Sequence, residues 1–358
     1  MSLMDFGTKL VKTLPAEAAH TATIKALKTG LVLAPRRDVL PKSLGVTLPK
    51  SGLILSNPVG LAAGFDKNAE VFRQMFDFGF GMVECGTVTP RPQAGNPKPR
   101  LFRLTEDEAV INRMGFNNEG LAAYAARISR HDPLDGILGA NVGANKVSDD
   151  RVADYVAGIQ AVYAYADYIT INISSPNTPG LRGLQDKGAL EVLLDRCGAE
   201  AARLASELEI QKPFFLKVAP DLDDQAITDI AGVVENAGDW LTGLIVSNTT
   251  IARPETLRNR HRGEMGGLSG APLMAPSTEV LRKFARKLFG KVDLIGVGGI
   301  SSGADAYEKI KAGAHAVQLY SALVYKGPQL AHEINKDLVK RLEADGFGSI
   351  SEAAGSAL

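Results

Sequence analysis

Cysteine is nearly absent from this 358-residue chain, which holds two, Cys85 and Cys197. Two cysteines build no disulfide framework, and neither has the company of a metal site, so a reducing cytosolic compartment is expected. Histidine is scarce too, five in all and scattered, which leaves no metal constellation of imidazoles. His315, in Ala-Gly-Ala-His-Ala, reads as a packing residue between a helix and a strand. Net charge is missing: Lys+Arg and Asp+Glu stand at 40 each. No global field then favours nucleic acid or an acidic partner, and any anion must be held by a local site. No apolar run approaches the roughly 18 residues of a membrane-spanning helix. The N-terminus also lacks the basic start, apolar stretch and small-residue cleavage site of a signal peptide.

What is there is a hydrophobic content of 45%, ample for one large core. Eight short apolar runs are expected as strands, at 59–63, 81–89, 137–142, 168–173, 214–218, 243–247, 293–297 and 316–320. Most are continuous rather than alternating, as in parallel strands buried on both faces. Helical patterns separate most of them, at 150–166, 188–208, 224–237, 277–288 and 304–312. Repeated strand–helix units lead to a doubly wound sheet or a barrel, and eight units favour a (β/α)8 TIM barrel, which fills roughly 250 residues or more as one domain. The expected division is an N-terminal helical extension at 1–40, the barrel at 41–340 and a tail at 341–358. The extension carries Phe6, Leu10, Val11 and Leu14 as one apolar stripe, then a second helix opened near Pro15 and closed near Gly30. Lys9, Lys12, Lys25, Lys28, Arg36 and Arg37 add positive charge nearby. Such a segment can lie in a membrane interface, or pack on the barrel as a helical hairpin. A hairpin-like insertion is expected at 97–113, with arms 101–104 and 109–112.

Polar residues follow the C-terminal strand ends, where barrels carry their active sites. They include Gly64-Phe65-Asp66-Lys67-Asn68, Thr87, Asn141, Asn172 to Asn177, Lys217, Ser247-Asn248-Thr249-Thr250, Gly298-Gly299 and Tyr320-Ser321. Gly296-Val297-Gly298-Gly299-Ile300 and Tyr320-Ser321-Ala322 end the last two strands, a common phosphate site whose backbone N–H groups can meet an anion. Gly266-Gly267-Leu268-Ser269-Gly270 is expected to join them. Taken alone, GVGG reads equally as a tight turn. Lys217, ending an apolar strand, reads as a fixed cation, a Schiff-base nucleophile, or one half of a buried pair with a core carboxylate. The segment 174–188, with Pro176, Pro179, Gly180 and Gly183, reads as a hinged lid or a static polar loop.

The motifs Asn57-Pro58-Val59-Gly60-Leu61-Ala62-Ala63-Gly64-Phe65-Asp66-Lys67-Asn68, Asn112-Arg113-Met114-Gly115-Phe116-Asn117-Asn118 and Asn172-Ile173-Ser174-Ser175-Pro176-Asn177-Thr178 resemble those of the dihydroorotate dehydrogenases. So do Lys217-Val218-Ala219-Pro220-Asp221 and the glycine-rich stretches, in the family's order, over roughly residues 40–335. Soluble members use a cysteine as base. The matching position here is Ser175, and with the extension this resembles the membrane-associated, quinone-dependent class.

The resemblance implies a flavin oxidoreductase that converts dihydroorotate to orotate in pyrimidine biosynthesis, with hydride passing to FMN and a membrane quinone as final acceptor. Ser175 would take the C5 proton; a serine hydroxyl is a feeble base, so a relay through Thr178 or water is expected. For FMN the resemblance points to Ala63, Gly64, Thr87, Asn141, Asn172 and Lys217, then Ser247, Gly270, Gly299, Tyr320 and Ser321. Lys217 would stabilise charge on the reduced ring. Orotate has an alternating N–H/C=O edge that asparagine can match, which suits Asn112, Asn172, Asn177 and Asn248 with Thr249. Lys67 and the backbone at Met114, Gly115 and Phe116 would receive its carboxylate, and Arg113 belongs to the same set. His20, Arg103 and Tyr320 resemble the polar contacts of a quinone tunnel under the extension. The expected setting is peripheral, on the cytoplasmic face of the inner cell membrane. The rivals are a soluble fumarate- or NAD-linked dehydrogenase, a non-redox phosphate-binding barrel acting through Lys217, and a binding barrel without activity.

Overall fold

The computed structural model describes residues 13–32 and 40–358. Eight parallel strands close into a barrel. Numbering all strands in chain order, the barrel consists of β3 (Val59–Leu61), β4 (Met82–Val88), β7 (Ile137–Val142), β8 (Tyr168–Asn172), β9 (Phe214–Val218), β10 (Leu241–Val246), β12 (Asp293–Val297) and β13 (Ala316–Leu319). Closure comes from β13 pairing with β3, Val317 opposite Val59 and Leu319 opposite Leu61. Nearly every barrel-strand residue is buried, which is why these strands read as unbroken apolar runs. Three of the helices between them open on side-chain caps. Asp150, Asp223 and Ser302 accept from the backbone N–H groups of Ala153, Ala226 and Asp305, each meeting an N–H group that has no partner within its own helix.

The barrel floor is closed by the hairpin β1 (Val46–Thr47) and β2 (Ile54–Leu55). Its turn is held by the buried Asp293 carboxylate, which accepts from the N–H groups of Lys50 and Ser51 at 3.0 and 2.7 Å. At the opposite mouth the expected insertion forms β5 (Leu101–Leu104) and β6 (Ala109–Asn112). It recruits a third strand, β11 (Gly267–Gly270), antiparallel to β6. The Gly266–Gly270 stretch, expected as a phosphate loop, is therefore mostly sheet, and its end at Gly270 reaches the cavity.

Of the extension, helix Ala16–Lys28 is described. Pro15 precedes its first turn and Gly30 closes it at φ +72°, as expected. Glu17 lies in the first turn and Lys25 and Lys28 in the last, matching the helix dipole. Phe6, Lys9, Leu10, Val11, Lys12, Arg36 and Arg37 lie outside the described residues. At the other end, helix Leu330–Asp345 runs through the expected boundary at 340, and Ile350 and Ala353 beyond it are fully buried. The last residues thus pack as part of the barrel. His315 is a packing residue as read: its Nδ1 accepts from Leu294 N–H, and its ring stacks on Phe289 at 5.2 Å.

Candidate active site

A single cavity of about 810 Å³ runs from beneath helix Ala16–Lys28 into the C-terminal mouth of the barrel. Thr87, Asn172 and Lys217, from strands β4, β8 and β9, line its deep part; Ser175, Asn177, Lys67 and Asn112 line one side, and Gly270, Gly299 and Ser321 another. His20, Arg103 and Tyr320 line the part under the helix. The expected site residues border this space, except Arg113, Asn141 and the expected relay residue Thr178.

Arg113 turns the other way. Its guanidinium donates to Glu264 Oε2 at 2.7 Å and stacks over the Phe102 ring at 4.6 Å, so its side chain braces the three-stranded sheet. Asn141 stands one layer behind the cavity: its Oδ1 accepts from Thr87 Oγ1 at 2.5 Å and from Asn172 Nδ2 at 3.2 Å. Asn141 Nδ2 in turn donates to Glu84 Oε1 at 2.7 Å.

Glu84 is the residue that the sequence reading passed over. It is fully buried and inward-facing, and accepts from Tyr168 and Thr170 hydroxyls and Gln318 Nε2 at 3.0 to 3.2 Å as well as from Asn141. Lys217 Nζ lies 3.5 Å away, with both side chains almost fully buried. The strand-end lysine is thus paired with a core carboxylate and also faces the cavity. A lone Glu in Met-Val-Glu-Cys-Gly-Thr-Val was the available signal, since an unpartnered charge in a buried strand costs too much to persist.

The asparagines are brought together in two pairs. Asn177 Nδ2 donates to Asn112 Oδ1 at 3.2 Å. Asn248 Nδ2 donates to Ser174 Oγ at 3.0 Å, and that hydroxyl donates to Asn172 Oδ1 at 2.9 Å. Ser175 is buried, and its Oγ accepts from Asn177 N–H at 3.2 Å. Thr178 Oγ1 is buried with no hydrogen-bond partner among the described residues. The segment after Ser174 is tethered by Arg182, whose guanidinium donates to Ser174 O, Asp221 Oδ2 and Thr249 O at 2.8 to 3.1 Å.

Burial shifts several titrating groups in the cavity wall, raising the Tyr320 and Tyr325 hydroxyls and lowering Lys67 and His20. Burial lowers Lys67 to about 8, with Nζ donating to Gly64 O at 2.6 Å. Burial and then the Lys67 charge lower His20 to about 3, so it is neutral at ordinary pH. His20, Phe65 and Tyr320 pack edge to face, and His20 Nδ1 lies 3.4 Å from the Tyr320 hydroxyl. The helix carrying His20 is pinned at both ends. Glu17 pairs with the buried Arg100 at 2.8 Å and with Lys98 at 3.3 Å, and Lys28 pairs with Glu70 at 2.7 Å. Arg103 donates to Leu14 O at 3.3 Å.

At the glycine-rich side, Gly298 and Gly299 have φ of +115° and +77°. A Cβ on Gly299 would fall 2.3 Å from the Met274 backbone, so only glycine lets this loop lie against the start of helix Met274–Leu288. The backbone N–H groups of Gly299, Ile300, Ser321 and Ala322 donate to no other described residue.

A closed (β/α)8 barrel with an elongated cavity at its C-terminal mouth, bordered by glycine-rich turns and a buried lysine, has the architecture of the barrel enzymes. The profile described as dihydroorotate dehydrogenase matches residues 44–342. A protein named dihydroorotate dehydrogenase (quinone) from Rhodospirillum rubrum is 53% identical over 350 residues, covering 97% of this chain and 92% of that protein. One of the same name from Azorhizobium caulinodans is 51% identical, covering 95% of each. The crystal structure of the Eimeria tenella dihydroorotate dehydrogenase in complex with ferulenol superposes with a TM-score of 0.91 at 40% identity, covering 96% of this chain and 95% of that one. The chain belongs to the dihydroorotate dehydrogenase family, in the branch named for its quinone acceptor.

Proposed function

We propose that the chain oxidises (S)-dihydroorotate to orotate with Ser175 as base and FMN as the bound flavin, and that a membrane quinone entering beneath helix Ala16–Lys28 takes the electrons. The observation carrying this reading is that one cavity joins the Ser175 side, the Lys217 floor and the His20–Tyr320 side without a wall between them. The residues fit FMN. Free N–H groups at Gly299, Ile300, Ser321 and Ala322 suit its phosphate, and Lys217 suits a ring that gains negative charge on reduction. Bound FMN would supply the two-electron acceptor that side chains lack, taking the C6 hydride and passing electrons to quinone.

The chain's own residues do the rest. Lys67 holds the substrate carboxylate beside the Met114–Phe116 backbone, while Asn112, Asn172, Asn177, Asn248 and Thr249 match the ring edge. Ser175 Oγ takes the C5 proton as its own hydroxyl proton moves on. The partnerless Thr178 hydroxyl, or a water beside it, is the suited receiver. Arg182 keeps the lid in place and water out. Among the described residues no helix is long and apolar enough to cross a membrane. The exposed Leu14 and Leu31 flanking helix Ala16–Lys28, with Lys25 and Lys28, suit peripheral contact on the cytoplasmic face.

The test is bleaching of the flavin absorbance by dihydroorotate, then recovery with a short-chain quinone. Ser175→Ala should keep the flavin and lose turnover by about 10²–10⁴-fold, the usual range for a missing base. Undiminished turnover removes Ser175 from the mechanism. A colourless protein that takes up no FMN ends the whole reading.

A further inference from the structure

The Glu84 carboxylate has no place in the chemistry above, yet it accepts from five donors. It sits on β4, fully buried, and collects donors from four other strands: Asn141 from β7, Tyr168 and Thr170 from β8, Lys217 from β9 and Gln318 from β13. Four of those five donors are neutral. With both oxygens engaged by these donors, the carboxylate cannot turn. Lys217 borders the cavity while Glu84 does not, so the pair is layered, cation above and anion 3.5 Å below. Tying barrel strands together needs no charge, since parallel ladders already do it. The charge has a different consequence.

We infer that Glu84 is a positioning residue for the reaction: it fixes Lys217 at the cavity floor and offsets its charge, so that the flavin above is reduced by substrate yet still yields its electrons to quinone. This rests on the proposed FMN site. A buried ammonium alone would favour the reduced, negatively charged ring strongly and retain the electrons there. A fixed carboxylate directly beneath weakens that hold without moving the cation.

Glu84→Gln keeps the shape and removes the charge; Glu84→Asp keeps the charge and shortens the reach. The readouts are the flavin midpoint potential, the FMN dissociation constant of the apoprotein and the melting temperature. Glu84→Gln should raise the potential, by at least a tenfold change in the reduced-to-oxidised ratio, which is about 30 mV for a two-electron couple. Quinone reoxidation should slow with it. Glu84→Asp should stay within about threefold of the unmodified ratio, or about 15 mV by the same constant, even where it melts lower. A purely structural Glu84 predicts the reverse order, with Gln nearly silent and Asp the more damaging; that result overturns the inference. So does an unchanged potential in a Gln variant that holds flavin. Should Glu84→Gln fail to fold, Glu84→Gln with Lys217→Met restores neutrality and should fold; a double variant that still unfolds also refutes the inference. If the unmodified protein binds no flavin, the failure belongs to the proposed function instead.

Discussion

Lys67 is a cation held in a place that favours the neutral form. Burial lowers it to about 8, with the Asp66 charge pulling it back up and Arg100 adding to the depression. A carboxylate ligand binds the charged form, so binding must weaken as the lysine loses its proton. Orotate affinity should be flat below pH 8 and fall about tenfold per unit above it, following the linkage of proton and ligand. Titrating orotate against the flavin spectrum between pH 6.5 and 9.5 checks this, and a flat profile through pH 9 would take Lys67 out of the carboxylate site. At this scale the sequence spoke clearly for residues inside motifs and poorly for those acting across the barrel. Asn112, Asn177 and Asn248 stood at strand ends and now face one space. Arg113 stood beside them, but its partners Phe102 and Glu264 come from other segments, and no local pattern announces that the side chain turns outward.

Helix Ala16–Lys28 touches both halves of the cavity's business. Glu17 grips Arg100, and Arg100 also donates to Ala94 O and Asn96 O at 2.6 and 2.9 Å. Asn96 Nδ2 then donates to Arg113 O and to Asn177 O in the 174–188 loop. Unseating the helix therefore loosens the frame around the proposed substrate site. Glu17→Gln should raise KM for the quinone and, by a smaller factor, KM for dihydroorotate, with kcat changed less than either. Steady-state kinetics with each substrate varied in turn measures it; an effect on dihydroorotate alone would contradict this path. The barrel strands were legible to within about two residues because each is an almost wholly buried run. The β11 strand was not, since Gly267–Gly270 owes its form to antiparallel pairing with β6, far away in the chain. The hairpin under the barrel escaped notice for a similar reason: its short strands β1 and β2 are fixed by Asp293 from β12.

Considered as a whole, the molecule is a closed cylinder with its own core and a helix laid over one end of its cavity. Closure through β13 and β3 leaves the barrel complete without residues 1–40. Removing those residues should leave FMN uptake intact and dihydroorotate-driven bleaching attainable at a higher dihydroorotate concentration, while abolishing turnover with quinone. Absorbance at the flavin bands under both conditions decides it, and full quinone turnover in the shortened chain would place the acceptor's entrance elsewhere.

Arg182 gives the molecule an asymmetry. One planar guanidinium bridges three chain segments, at Ser174, Asp221 and Thr249, over the place proposed for the substrate. Its bonds must part together for that side to open, whereas the opposite end is roofed only by a helix clamped at its tips. If the acid and the acceptor enter where proposed, the acid's doorway is the one braced by a guanidinium and the acceptor's is the one roofed by a helix held at its tips.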